Sequence, residues 1–132
     1  MHYLPLFASV RGQPCLVVGG GTVGERKALE LVAAGARVTV NAPVLSAGLE
    51  VAASGLVADQ LLVIAATGDP GVNREVAAAA RAALRLCNVV DDPAASTFIS
   101  PAVVDRSPLV IAVSSGGQAP VLARLVRQRL RL

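Results

Sequence analysis

Short apolar runs alternate with segments of helical periodicity through the first two thirds of the chain. Four runs are short enough to be buried strands: residues 15–18, 37–40, 61–66 and 86–90. Apolar positions at helical spacing fill the segments between them: residues 23–34, a weaker pattern at 46–53, and residues 72–84. Strands that alternate with helices are typical of a parallel sheet covered on both faces. The pattern therefore predicts an α/β, Rossmann-like doubly wound parallel sheet over residues 1–97.

The first predicted helix has two different faces. Its apolar positions are Ala28, Leu31, Val32 and Ala34. Its charged positions are Glu25, Arg26, Lys27 and Glu30. We expect the first set to be buried against the sheet and the second set to be solvated, with a helix stop at Gly35.

The pattern changes after residue 97. Residues 98–104 and 108–113 predict two strands joined by a hairpin turn at the sequence DRSP. A serine- and glycine-rich loop follows at residues 114–117, and Pro120 is predicted to begin a final helix. Residues 98–132 thus form a predicted small α+β segment after the nucleotide-binding domain.

Composition and charge exclude one class of function. The chain is 54% hydrophobic, which suffices for a core, but only 2% aromatic, so a nucleic-acid reader that stacks bases on rings is not expected. The net charge is +3. Four arginines crowd the last nine positions: Arg124, Arg127, Arg129 and Arg131. Such a run is usually the solvated face of a helix, and the alternative is attraction for an anionic partner such as a polycarboxylate substrate.

Metal-binding and membrane-spanning classes are also disfavoured. Cys15 and Cys87 lie in apolar runs without a CxxC partner, and the only histidine is His2, so no metal site is predicted. No apolar run reaches the ~18 residues that a spanning helix needs, and no charged segment precedes an apolar run at the N-terminus. We expect a cytoplasmic protein that does not bind a membrane.

A glycine motif follows the first predicted strand. Gly19, Gly21 and Gly24 have the GxGxxG spacing of dinucleotide-binding turns. In such turns the first glycine makes the tight turn, the second admits the pyrophosphate, and the third packs the helix on the strand. The motif is weak alone, but here an apolar strand precedes it and an amphipathic helix and a second strand follow it. A glycine-rich turn without a ligand is the alternative.

The end of the second predicted strand bears on which nicotinamide cofactor is used. Dinucleotide-binding folds usually place an acidic residue there to hold the ribose hydroxyls, and this chain has Asn41, which can also hydrogen-bond a hydroxyl. A cofactor with a 2′-phosphate would favour a nearby arginine, and residues 42–44 carry no cation. The sequence therefore favours NAD, although Asn41 could also be a simple turn former.

Several segments together resemble one family. They are HYLPLF, VVGGGTVGERKALELVAAGARVTVNAP, IAATGD, NVVDDP, FISPAVVDRSPLVIAVSSGG and PVLARLVRQRL. Over nearly the whole chain, they resemble the precorrin-2 dehydrogenase / sirohydrochlorin ferrochelatase module of siroheme synthase. The resemblance implies NAD-dependent oxidation of precorrin-2 to sirohydrochlorin in siroheme biosynthesis, followed in many members by insertion of ferrous iron, which is then a substrate. It also implies a homodimer, with residues 98–132 as the dimerisation segment.

The resemblance further implies the roles of individual residues. Those on the cofactor side are Gly19, Gly21, Thr22, Val23 and Gly24 around the pyrophosphate, Asn41, Pro43 and Val44 along the adenosine, and Thr67 beside the nucleotide. On the substrate side, Asp91 matches the catalytic aspartate, and Ser115 with Gly116 matches a loop that lines the tetrapyrrole site.

The residue types suit this chemistry. Removal of a hydride from a saturated tetrapyrrole carbon must be followed by loss of a proton, and a carboxylate at the carboxyl edge of the sheet can accept that proton. Aspartate before proline is also a common turn, so Asp91 has a purely structural alternative, and Asp92 is predicted to be a turn residue or helix cap. Arg106 is predicted to be structural. No protein metal cage is needed for iron insertion, because the macrocycle nitrogens are the ligands.

The chain departs from the family in two places. Only four residues, 57–60, stand where the family carries another strand and a loop. Either a strand is lost there or residues are missing from the numbered chain, and we favour missing residues at a mobile loop. The numbered chain stops at Leu132, and if that is the real end, we expect the helical domain that follows in the family to be absent. We expect this to leave an apolar face that a partner subunit would cover.

Two other functions compete with the dehydrogenase. The first is a non-catalytic NAD-binding or sensing dimer, which would not need a base such as Asp91. The second is a short-chain or hydroxy-acid dehydrogenase, which needs a catalytic Tyr/Lys pair or His. The chain offers only Tyr3, Lys27 and His2 for such roles, so this class is disfavoured.

Overall fold

Four parallel strands form the central sheet of the protein, for which we describe residues 1–41 and 56–130 of a computed structural model. The strands are β1 (Pro14–Val18), β2 (Arg37–Asn41), β3 (Leu62–Ala65) and β4 (Leu86–Val89). They lie in the order β2-β1-β3-β4, and each neighbouring pair is parallel. The chain divides into two units, Phe7–Phe98 and Met1–Leu6 with Ile99–Leu132.

The two central strands are buried on both faces. In β1, Cys15 and Val17 belong to one apolar cluster, and Leu16 and Val18 belong to the other. Successive strand residues point to opposite faces, so one strand serves both clusters. The sheet therefore has a core on each side, which confirms the predicted doubly wound α/β class.

Two helices cover this sheet. Helix α1 (Thr22–Ala33) connects β1 to β2, and helix α2 (Pro70–Ala82) connects β3 to β4. The α2 residues Val72, Val76, Ala77 and Ala80 pack in the cluster of Leu16 and Val18, whereas Ala28 of α1 packs in the other cluster. Each cluster thus has its own helix.

The buried face of α1 is narrower than predicted. Only Gly24 and Ala28 are buried, Leu31 is half-buried, and Val32 and Ala34 are exposed. Positions 24, 28 and 31 lie within about 60° of one another around the helix axis, whereas Val32 lies about 100° from Leu31 and Ala34 follows the helix end. The prediction was wrong for Val32 and Ala34.

Lys27 was also predicted wrongly. Its side chain is only 12% exposed, and its Nζ lies 3.6 Å from a carboxylate oxygen of Glu30. A lysine stem can lie on apolar surface while its ammonium group reaches a charge, which explains the difference from the predicted solvated position.

The strand order reverses between β1 and β3. From β1 the chain moves to β2 on one side, and β3 and β4 then lie on the other side of β1. Ligands of open α/β sheets bind beyond the carboxyl ends of the strands at such a reversal. The glycine loop, which follows β1, and the residues that follow β3 both lie at this favoured position for ligand binding.

A return segment closes the outer edge of β4. The N–H of Cys87 donates to Thr97 Oγ1 at 2.8 Å, and the N–H of Val89 donates to Ser96 Oγ at 2.8 Å. Asp92 caps the 3-10 turn Pro93–Ala95 by accepting from the N–H of Ala95 at 3.3 Å, which confirms its predicted role as a cap.

The second unit contains an antiparallel hairpin and a helix. The hairpin pairs β5 (Ala102–Arg106) with β6 (Leu109–Val113), and helix α3 (Pro120–Leu130) packs against both strands. The predicted first strand began too early, at residue 98. Phe98 instead belongs to the larger unit, where its carbonyl accepts a hydrogen bond from Asn88 Nδ2 at 3.1 Å.

The short segment before β3 is held by a turn and a backbone hydrogen bond. Residues Leu56–Asp59 form one 3-10 turn in which Val57 is buried, and the N–H of Leu61 donates to the carbonyl of Pro14 at 2.7 Å. The expectation that residues are missing at 57–60 stays a prediction. The helix predicted at 46–53 lies outside the described residues.

Candidate nucleotide-binding site

Two glycines of the GxGxxG motif are required by the packing of the protein itself. Gly19 follows β1 with a φ of +135°, and a Cβ there would run into the carbonyl oxygen of Ala66. A Cβ on Gly24 would run into the carbonyl oxygen of Gly19. The loop therefore turns tightly and holds α1 against the end of β1, as its first and third glycines are expected to do.

Gly21 is different. It precedes α1 with an ordinary φ of −83°, and a Cβ built on it would meet nothing within 4 Å. Neither backbone strain nor packing within the described residues explains a glycine here. An absent side chain does leave room for a ligand to approach the backbone closely.

The N-terminus of α1 is open to an anion. No side chain caps it within the described part of the chain, and the first N–H that bonds back into the helix is that of Glu25, to the carbonyl of Gly21 at 3.0 Å. The amides of Thr22, Val23 and Gly24 precede that bond and have no intrahelical acceptor. Such free amides and the positive end of the helix dipole favour a phosphate group.

Helix α2 begins at the same edge of the sheet but supplies its own anion. The Asp69 carboxylate accepts from the N–H of Gly71 at 2.8 Å and of Val72 at 3.4 Å. Helices α1 and α2 thus begin at the same edge of the sheet, but only α2 has a side-chain cap at its N-terminus. Of the two, α1 is the one whose first turn is available to a ligand.

Asn41 lies beside the glycine loop. It is the last residue of β2, it is in register with Val18, and its carbonyl accepts from the N–H of Gly19 at 2.7 Å. This backbone contact brings the end of β2 to the turn where the ribose is held in dinucleotide-binding folds. Pro43 and Val44, predicted to line the adenosine, lie outside the described residues.

Thr67 follows β3, next to Gly19. Its N–H and hydroxyl both contact Asn73 Oδ1, and its carbonyl accepts from Asn73 Nδ2 at 3.1 Å. Asn73 is 9% exposed and lies in the first turn of α2. Asn73 was not predicted as a site residue, although an asparagine near the start of a helix, six residues after the threonine that follows the third apolar run, was a signal.

Asp91 lies beyond β4 at the same edge. Its φ of +62° is left-handed, which is unusual for a residue other than glycine, and its side chain is exposed. The turn is closed by the N–H of Asp92, which donates to the carbonyl of Val89 at 3.0 Å. Two strand spacings, about 10 Å, separate β4 from β1, which the glycine loop follows. An observed strained residue at a ligand-binding edge motivates a functional hypothesis.

Ser115 and Gly116 belong to the second unit. Ser115 Oγ accepts from the N–H of Ala119 at 2.8 Å, and Ser114 Oγ accepts from the N–H of Gly116 at 3.0 Å. Gly116 has a φ of +68°, and its Cβ position lies 3.3 Å from the ring of Tyr3. The serine hydroxyls thus shape the loop before α3.

The two cysteines are buried and unreactive in character. Burial raises the pKa of the Cys15 thiol, and it raises the pKa of the Cys87 thiol to about 11 against a small opposing effect of Arg81. Both thiols are therefore neutral near pH 7. Among residues 1–41 and 56–130, no three His, Cys, Asp or Glu side chains are grouped so as to hold a metal ion. None of the helices in those ranges is long and apolar enough to cross a membrane.

Comparison with known families identifies the type of domain. A family described as putative NAD(P)-binding matches residues 6–102, and a family described as sirohaem biosynthesis protein central matches residues 106–131. The first match contains the glycine loop and Asp91, and the second contains the loop of Ser115. The cofactor class is therefore NAD(P).

Curated relatives and a solved structure extend this match. The siroheme synthase of Tolumonas auensis is 52% identical over 141 residues, and that of Escherichia coli O139:H28 is 48% identical over 143. Each covers 98% of this chain, but the chain spans only about a third of their length, 30% and 31%. The structure of SirC, precorrin-2 dehydrogenase, has a TM-score of 0.73 at 26% identity and covers 97% of this chain and 69% of that one. The predicted resemblance and fold class are confirmed.

Proposed function

The chain belongs to the family of putative NAD(P)-binding domains in the form found in siroheme synthases, and on that premise we propose that it oxidises precorrin-2 to sirohydrochlorin with NAD. The observation that carries the proposal is the uncapped N-terminus of α1 beside the open space at Gly21.

The residues present fit a dinucleotide. The open first turn of α1 would bind the pyrophosphate through backbone N–H groups, including those of Thr22 and Val23. The tight packing of Gly19 against Ala66 keeps that turn close to the end of β3, so that a ligand would lie across the β1–β3 reversal.

We assign NAD rather than NADP to this site. Asn41 ends β2 beside the glycine loop and offers a neutral amide to ribose hydroxyls. The arginine of the same strand, Arg37, lies at its opposite end, where its Nε donates to the carbonyl of Gly12 at 2.8 Å. It is therefore not placed to pair with a 2′-phosphate. On the family resemblance alone, we also assign Pro43 and Val44 to the adenosine side.

The proposed chemistry divides between the cofactor and the protein. When bound, the nicotinamide accepts a hydride from the substrate. Asp91 would accept the proton that the oxidised substrate must also lose, so that one double bond is gained for one hydride and one proton removed. Thr67 would lie between these two groups, because β3 lies between β1 and β4.

The second unit would provide the tetrapyrrole side and the dimer contact. We assign Ser115 and Gly116 to the substrate and the exposed apolar side chains of the hairpin and α3 to the partner subunit. Leu109, Leu122 and Leu125 are each more than half exposed in the single chain, which is unfavourable in water. A second copy that covered them would also bring in its own substrate loop.

An anaerobic absorbance assay tests the proposal. Precorrin-2 and NAD are supplied to the purified chain, and we expect sirohydrochlorin to form together with NADH. Ferrous iron is then added, and siroheme formation would extend the activity to iron insertion. Absence of sirohydrochlorin would refute the dehydrogenase, and NAD binding without oxidation would point instead to a sensing module.

A further inference from the structure

A buried amide outside the proposed catalytic groups is directed at one residue of the cofactor edge. All the hydrogen bonds described for the Asn73 side chain involve Thr67: Oδ1 accepts from its N–H at 3.2 Å and contacts its hydroxyl, and Nδ2 donates to its carbonyl at 3.1 Å. Burying an amide is unfavourable unless such bonds are made. The arrangement thus fixes both backbone polar groups of Thr67 to α2.

This attachment matters because of where Thr67 lies. The Cβ position of Gly19 is 3.1 Å from the N atom of Thr67 and in conflict with the carbonyl of Ala66. The backbone of residues 66–67 therefore packs directly against the turn of the glycine loop. A shift of Thr67 by a few tenths of an ångström would be transmitted to Gly19, since close-packed atoms leave no free space.

The helix that carries Asn73 is held rigidly. Its neighbour Val72 is buried in the apolar cluster that also contains Val18 and Ala65, the last residues of β1 and β3. Asn73 therefore connects a loop at the ligand edge to the part of the core that ends both strands. Residues whose positions are locked by buried partners hold a binding geometry better than loop residues alone.

We propose that Asn73 is a positioning residue for the dinucleotide site: it does not touch the cofactor but holds Thr67, and through it the glycine loop, in the binding geometry. The inference rests on the function proposed above. An amide suits this task because it both accepts from the N–H and donates to the carbonyl of the same residue. A carboxylate could accept but would face the Thr67 carbonyl without a proton to donate.

The alternative is that Asn73 only stabilises the start of α2. A control variant on the same helix distinguishes this structural role from the positioning role. Val76→Ala removes fully buried volume one turn further on and has no bond to Thr67, so it lowers stability without loosening the loop. Asn73→Leu removes all the bonds to Thr67 with a side chain of the same branching, and Asn73→Asp and Thr67→Val each remove a part of them.

The experiment measures the NAD dissociation constant by calorimetry at a temperature where each variant is folded by circular dichroism. We expect Asn73→Leu to weaken NAD binding at least 5-fold, Asn73→Asp and Thr67→Val to weaken it less, and Val76→Ala to leave it within twofold. If Asn73→Leu does not fold, Asn73→Asp decides, because it leaves Thr67 itself unchanged.

The outcomes distinguish this inference from the function on which it rests. If the wild type binds NAD and the Asn73 variants bind it no more weakly than Val76→Ala does, the positioning role is overturned. If the wild type does not bind NAD, the proposed cofactor site itself fails. In turnover, the same loosening should raise KM for NAD, whereas a merely structural loss would reduce the amount of active protein and leave KM unchanged.

Discussion

The carbonyl oxygen of Ala66 occupies the space that a Cβ on Gly19 would need. The residue after β1 and the residue after β3 therefore approach each other as closely as backbone atoms allow, at the point where the strand order reverses. The first glycine of the motif is thereby set by the protein's own packing, before any ligand is considered.

Gly19→Ala is expected to destabilise the protein strongly. The new methyl group would conflict with Ala66, and a φ of +135° is strained for alanine, so we expect a loss of about 3 kcal/mol in the free energy of unfolding. Urea denaturation measures it. Gly12→Ala is the control, because Gly12 also has a positive φ but has open space around its Cβ position. Equal losses in the two variants would show that the contact with Ala66 contributes nothing.

Gly21→Ala is expected to weaken NAD binding while changing the stability of the protein little. The backbone there is compatible with alanine and the space is open, so stability should fall by about 1 kcal/mol at most, the usual effect of alanine before a helix. The methyl group would occupy the approach to the first turn of α1, and we expect NAD binding to weaken at least 10-fold by calorimetry. Unchanged affinity would mean that no ligand approaches Gly21.

Asp91→Asn is expected to separate cofactor binding from oxidation. Asparagine has the same shape and tolerates left-handed backbone, but it cannot accept a proton. Loss of a general base typically lowers turnover by about 100-fold or more, and NAD affinity should stay within twofold. Sirohydrochlorin formation and calorimetry measure the two effects. If the variant turned over at the wild-type rate, Asp91 would be a turn residue without a catalytic role.

Leu84→Gly is expected to stabilise the protein. Leu84 lies two residues after the end of α2 with a φ of +58°, and its side chain is 91% exposed, so it has strain and little packing. Glycine is the usual residue at this helix end, and relief of the strain should raise the free energy of unfolding by about 1 kcal/mol. Leu84→Ala is the control, since it removes the side chain and keeps the strain. A gain equal to that of the glycine variant would contradict the backbone explanation.

Much of the larger unit could be predicted from its sequence. The apolar run before Gly19 and the turn residues around it locate β1 and α1 to within a residue, because local pattern and turn chemistry agree there. The left-handed backbone at Asp91 could not be predicted, since DDP fits several turns. The bonds between Asn73 and Thr67 depend on how α2 docks on the sheet, and no local pattern encodes that.

The sequence also left the second unit less well defined. Pattern alone extended the first hairpin strand back to residue 98, whereas Phe98 is held by Asn88 and the strand begins at Ala102. A tertiary contact decided the boundary there. Likewise, Ser115 was noticed only through a resemblance, because its bond to the N–H of Ala119 is that of an ordinary loop serine.

The hydroxyl groups of Ser96 and Thr97 have a consequence for assembly. An unpaired strand edge invites another chain to add a strand, which is a common origin of aggregation. At β4 the outward N–H groups of Cys87 and Val89 already donate to those hydroxyls. Strand addition at this edge would have to displace them first. These hydrogen bonds thus oppose the addition of a further strand at β4, and association of copies through that edge is disfavoured.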